Sequence, residues 1–75
     1  MIRGMNAREW IDAYAGRLGI EPPTNEEFTT LLDLAGEAAH SSERVAAPVA
    51  CWLTARAGKD PEDALAIARE VAGAA

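Results

Sequence analysis

Seventy-five residues, with seven Lys and Arg against twelve Asp and Glu and a net charge of −5, bound this chain to one small domain. The basic residues are scattered, which excludes the positive stripe that nucleic acid requires and disfavours an anionic membrane surface; no apolar run approaches the roughly 18–20 residues needed to cross a bilayer. One cysteine rules out an intrachain disulfide, and no Cys/His spacing suits zinc, so neither metal nor cofactor is expected.

A single core in a chain this short rarely supplies more than about 3–5 kcal/mol of net stability. Good helix packing, self-association or docking to a larger partner must make up the rest. The opening Met-Ile-Arg-Gly-Met-Asn carries no signal-peptide core, and with a lone cysteine this points to the cytoplasm. Met5 is a second candidate initiator, so residues 1–5 are expected to form a flexible tail and residues 6–75 a single helical domain. Abundant Ala, with few β-branched and aromatic residues, favours helix over sheet.

Four helices follow from start and stop signals. Asn6 with Glu9 forms a capping box. Ala7, Trp10, Ile11, Tyr14 and Leu18 then recur at helical spacing up to a stop at Gly19. Pro22 and Pro23 break the chain. Thr24 with Glu27 makes a second capping box, followed by an apolar stripe of Phe28, Leu31, Leu32, Ala35, Ala38 and Ala39 with Leu34 on its flank. Gly36 inside this helix costs about 1 kcal/mol relative to Ala unless another helix approaches closely there. The helix should end near His40.

The third helix begins either at a serine cap, Ser41 or Ser42, or near Val45 with Pro48 in its first turn. Both readings stop at Gly58 and place Val45, Val49, Trp52 and Leu53 on the buried face. Asp60, Pro61, Glu62 and Asp63 combine an N-cap, an N1 proline and an acidic first turn. They open a last helix over roughly 61–72 that buries Leu65, Ala68 and Val71 or Ala72. The fold class is therefore all-α, a compact bundle of four short helices.

Residues 31–58 also carry a resemblance. Leu31-Leu32-Asp33-Leu34-Ala35, Ala39-His40, Arg44, Ala46-Ala47-Pro48 and the closing Ala57-Gly58, with Trp10-Ile11 and Leu18-Gly19-Ile20 upstream, resemble a small bacterial family of unknown function. Its members are free-standing or appended to the nucleotidyltransferase that attaches GMP to molybdopterin. The resemblance covers roughly residues 5–60. It implies an accessory domain in molybdopterin-guanine dinucleotide, or molybdenum cofactor, biosynthesis. Two positions depart from the pattern: Val45, where a proline often stands, and Cys51-Trp52, where Thr or Phe-like residues are usual.

Asp33, Glu37 and His40 share one face of helix 2, with Arg44 shortly beyond the turn. They form a candidate polar site in which His40 acts as acid or base, Glu37 orients it, and Arg44 holds a phosphate or carboxylate. A simpler reading sets His40⁺ against the helix dipole and pairs Arg44 with Asp33 or Glu37. No catalytic residue is assigned. Cys51 reads best as a small hydrophobe, because nothing nearby in sequence would make it a nucleophile.

Core packing is the default for Trp10, Tyr14, Phe28 and Trp52. Two tryptophans are nonetheless hard to bury in so small a bundle. Val49, Trp52 and Leu53 are therefore the candidate interface. Three functional expectations follow. The first is a non-catalytic module docking to a protein partner, a molybdenum cofactor nucleotidyltransferase. The second is a self-associating homodimer, and the third a ligand-binding or enzymatic site around His40.

Overall fold

The computed structural model of the chain describes residues 4–74. It contains α1 (Ala7–Leu18), α2 (Asn25–Ser41), α3 (Ala46–Arg56) and α4 (Pro61–Ala74). The all-α, four-helix expectation holds, and no strand occurs among the described residues. Of the expected N-terminal tail, residues 1–3 lie outside the described part.

The sequence signals at the helix ends are made as hydrogen bonds. The Asn6 side chain accepts from the Glu9 amide at 2.8 Å, and the Glu9 carboxylate accepts from the Asn6 amide at 2.9 Å. Thr24 and Glu27 repeat the exchange at 3.1 and 2.8 Å. Gly19, at φ 79°, ends α1 in a Schellman turn: Ile20 N–H donates to the Ala15 carbonyl and Gly19 N–H to that of Gly16. Gly58, at φ 68°, does the same for α3, with Lys59 N–H donating to Thr54 and Gly58 N–H to Ala55. A side chain at either glycine would be strained in this left-handed conformation.

Of the two possible starts for α3, the later one is adopted. Amides of Ala46 and Ala47 close a turn onto the carbonyls of Glu43 and Arg44, and helix begins at Ala46. Pro48 then sits in the first turn, where amides have no intrahelical acceptor to lose.

α2 is the axis of the molecule. Both α3 and α4 pack on it, whereas no other pair of helices makes more than a slight contact. Leu34, only 2% exposed, sits where the two meet, in a cluster with Ala64 and Leu65 that Leu31, Cys51 and Ala68 flank. Leu34, expected on the flank, is thus the centre of the core, and Leu32, expected inside, is exposed. With helices on two sides of α2, the line through Leu31, Leu34 and Ala38 becomes the covered one and Leu32 faces away. Gly36 admits no close helix either: a Cβ there would meet only the His40 ring, at 4.0 Å.

α3 overturns its expected orientation more completely. Val45, Val49, Trp52 and Leu53 are all exposed, and the covered face is the small one: Ala46, Ala47, Ala50, Cys51 and Thr54. Small side chains let two helix backbones approach, and helix spacing of about 8–10 Å depends on side-chain size at the contact. α4 runs to Ala74 and covers Ala64, Leu65, Ala68 and Ala72, leaving Val71 exposed.

Arg8 ties α1 to this body. Its guanidinium donates to the Thr24 carbonyl at 3.4 Å and to the Pro23 carbonyl, pairs with Asp12 at 3.1 Å, and lies 5.1 Å over the Phe28 ring. α1 is therefore anchored at the N-terminal end of α2. Along its longest axis the molecule measures 40 Å, well beyond the roughly 26 Å of α2 itself at 1.5 Å per residue.

Two outcomes follow. Leu34→Ala should cost about 2–5 kcal/mol, enough to leave much of the chain unfolded at 25 °C, as a urea titration followed by circular dichroism will register. Arg8→Ala should instead raise amide exchange several-fold across α1 while amides of α2 near Leu34 keep their protection.

Candidate functional site

The four polar residues lie along α2 and just beyond its end, with no ion pair between any two of them. Asp33 and His40 are exposed on α2, and Arg44 is exposed in the α2–α3 turn. Glu37 is approached by Arg69 of α4, whose Nε lies 3.9 Å from Oε2. That partner was not legible in α2, since only the α2–α4 packing brings it near. Both groups are accessible to water, so the pair contributes little, at most about 1 kcal/mol. None of Asp33, Glu37, His40 and Arg44 lies within ion-pair distance of another. Among the described residues, no three His, Cys, Asp or Glu side chains come together to hold a metal ion.

Cys51 is half-buried against the Leu34 cluster. Burial disfavours the thiolate and pushes its pKa up from the ordinary thiol value. This environment suits a small hydrophobe and opposes nucleophilic use.

The apolar surface is more organised. Val45, Val49 and Trp52 follow one another at i, i+4 and i+7 along the outer side of α3, all more than half exposed. The Arg56 guanidinium covers the Trp52 ring at 5.1 Å. Of the candidate interface, Val49 and Trp52 lie on this stripe. Leu53 turns toward the other feature, a groove of about 480 Å³ between α3 and α4 with Leu34, Ala38 and Ser41 of α2 as its floor. Leu53 and Ala50 form one wall, and Ile67 and Val71 the other. The groove exists because α3 and α4 each pack on α2 without packing extensively on one another.

A smaller pocket of about 240 Å³ lies where the N-termini of α2 and α4 adjoin, lined by Thr24, Glu26, Glu27, Thr30, Asp60 and Glu62. Its carboxylates complement the positive helix ends and explain themselves as capping.

Both tryptophans are exposed, contrary to the core-packing default: Trp10 stacks on Tyr14 with ring centroids 5.1 Å apart, each half in water. Together these surfaces define a small all-α domain whose organised features are apolar and lie on the outside. The chain belongs to the family described as "Domain of unknown function (DUF6457)", which residues 3–75 match. No curated protein and no solved structure matches it.

The Cys51 environment makes a signed prediction. Alkylation by iodoacetamide should reach half its maximal rate at a higher pH in the native chain than in the same chain in urea. Because the native state favours the protonated thiol, its stabilising effect is complete at neutral pH and falls away as pH rises through the ordinary thiol range.

Proposed function

We propose that this chain is a non-catalytic interaction domain whose foreign partner docks on the outer stripe of α3. The observation that carries this reading is an exposed apolar stripe. Val45, Val49 and Trp52, each more than half exposed, stand at helical spacing along a helix whose other side is fixed to α2. Contiguous apolar patches of this kind mark interaction sites. Trp52, flanked by Val49 and roofed by Arg56, has the aromatic and arginine chemistry that dominates binding energy at interfaces.

The resemblance to the domain appended to the molybdenum cofactor guanylyltransferase suggests the setting. In this reading the chain is a cytoplasmic accessory in molybdopterin-guanine dinucleotide biosynthesis, and the nucleotidyltransferase is the partner. The α3 stripe supplies affinity, while His40 and Arg44, exposed near the start of α3, supply polar specificity at the rim.

Titration of the guanylyltransferase from the same organism with this protein, followed by calorimetry, tests the proposal. Trp52→Ala should weaken binding at least tenfold, about 1.4 kcal/mol, with an unchanged helical circular dichroism spectrum. Equal affinity of the two proteins, or no binding by either, sinks it.

A further inference from the structure

The α3 segment differs in charge from the rest of the chain. Arg44, Arg56 and Lys59 are three of the seven basic residues, and none of the twelve acidic residues falls between Arg44 and Lys59. We infer that the surface docking on α3 is acidic: it presents an apolar pocket for the Trp52 indole, with a carboxylate beside it in the plane of the Arg56 guanidinium. This rests on the interaction-domain reading and adds to it the chemistry of the partner.

Helix stability does not account for these cations. The first turns of α1, α2 and α4 carry Glu or Asp, as the positive end of a helix favours, whereas that of α3 has none. Arg44 instead stands just before the Val45 cap, at the end where a cation is unfavourable. Arg56, in the last turn, does suit the negative end. Carboxylates are close in sequence, Glu43 beside Arg44 and Asp60 four residues beyond Arg56. Among the described residues, however, the paired arginines are Arg8 and Arg69, and neither Arg44 nor Arg56 forms an ion pair.

The Arg56 guanidinium lies over the Trp52 ring, 5.1 Å from its centroid. The N–H donors of a guanidinium lie in its own plane, so contact with an aromatic face leaves them to be met from the side. Arg8 is the arginine whose donors are taken up within the chain; those of Arg56 are left to a partner. A carboxylate matches that planar fork with two parallel hydrogen bonds. Covering Trp52 also covers Arg56, and a cation taken out of water without an opposite charge is costly. An apolar partner without a carboxylate at this point would therefore bind against that cost.

The sorting of charge also orients the encounter. Outside this segment four basic residues stand against twelve acidic ones, so an acidic partner is repelled by the rest of the chain and drawn to α3. Complementary patches of this kind steer association and fix its register. Arg44 and Arg56 bracket Val45, Val49 and Trp52, at the two ends of a helix of 11 residues, about 16 Å long at 1.5 Å per residue. Membrane-binding clusters usually hold about 4–8 Lys and Arg. Three such residues on a chain of net charge −5 favour a protein surface over an anionic bilayer.

Trp10→Phe leaves Trp52 as the sole tryptophan, so that its emission reports on the α3 stripe. In that background the full chain is titrated with a synthetic amphipathic helical peptide of leucine and glutamate, and with its counterpart carrying lysine for every glutamate. The glutamate peptide should shift Trp52 emission to the blue and bind at least tenfold tighter than the lysine peptide. Arg56→Gln and Arg56→Lys should each weaken it roughly three- to fivefold, because lysine keeps the charge without the planar fork. Both variants should retain the parent's helical circular dichroism, since Arg56 is exposed. Raising the salt from about 0.01 to about 0.15 M shortens the screening length from about 30 to about 8 Å and should weaken the glutamate complex as well.

Equal affinity for the two peptides, binding of neither, or full affinity in Arg56→Lys overturns the inference. So does a larger blue shift with phosphatidylserine vesicles than with the glutamate peptide, which would make the docking surface a bilayer. Binding of the guanylyltransferase through Trp52 that ignores both salt and Arg56 removes the acidic partner and leaves the interaction domain. Binding of the glutamate peptide without binding of the guanylyltransferase keeps the acidic chemistry and removes that enzyme.

Discussion

Leu34 holds three helices together at one point, and almost everything else about the molecule follows from how little surrounds it. The buried residues with it are Ala64 and Leu65, with Leu31, Cys51 and Ala68 closing the sides. Small residues on α3 and α4 allow those helices to come close to α2, but they remove little apolar area from water at about 25 cal/mol per Å². A helix that packs through alanines leaves its larger side chains on the other side. This is why Val45, Val49 and Trp52 are outside, and it makes the external apolar surface a consequence of the internal packing.

The same constraint produces the groove. α2 cannot bring α3 and α4 together across its own width when both are held by short side chains around Leu34, so Leu53 faces Ile67 and Val71 across open space. A larger residue at Ala50 or Ala68 would fill that space and close the core. The chain instead has alanine at both. The structure is thus short of interior and long on apolar exterior for a single reason.

Local structure was legible in the sequence because its determinants are local. Asn6 with Glu9, Thr24 with Glu27, Gly19 and Gly58 each act over a few residues, and each makes the hydrogen bonds its residue type allows. The facing of the helices was less legible. Periodicity says which residues share a side and is silent on which side meets a neighbour. For α3 the ordinary preference for burying apolar bulk points the large-residue side inward, and that preference loses to backbone approach through Ala46, Ala50 and Cys51. Leu34 and Leu32 changed places for a related reason, since two covering helices shift the covered line on α2. The polar candidates fared similarly. Asp33, Glu37 and His40 do share a face, but Arg69, the residue that approaches Glu37, comes from the far end of the chain.

α1 shows how strong local order and weak tertiary attachment coexist. Its ends are satisfied by a capping box and a Schellman turn, so it needs few outside partners to be a helix. Its attachment to the body includes Arg8, whose carbonyl acceptors lie in the linker itself, and a covered face at Ala15, only 5% exposed. A helix so terminated is a preformed unit on a short stiff strap, with Trp10 and Tyr14 stacked along its exposed side. The weak core and the well-capped α1 therefore belong to one pattern: hydrogen bonds closed within a few residues hold the helices where little buried area does.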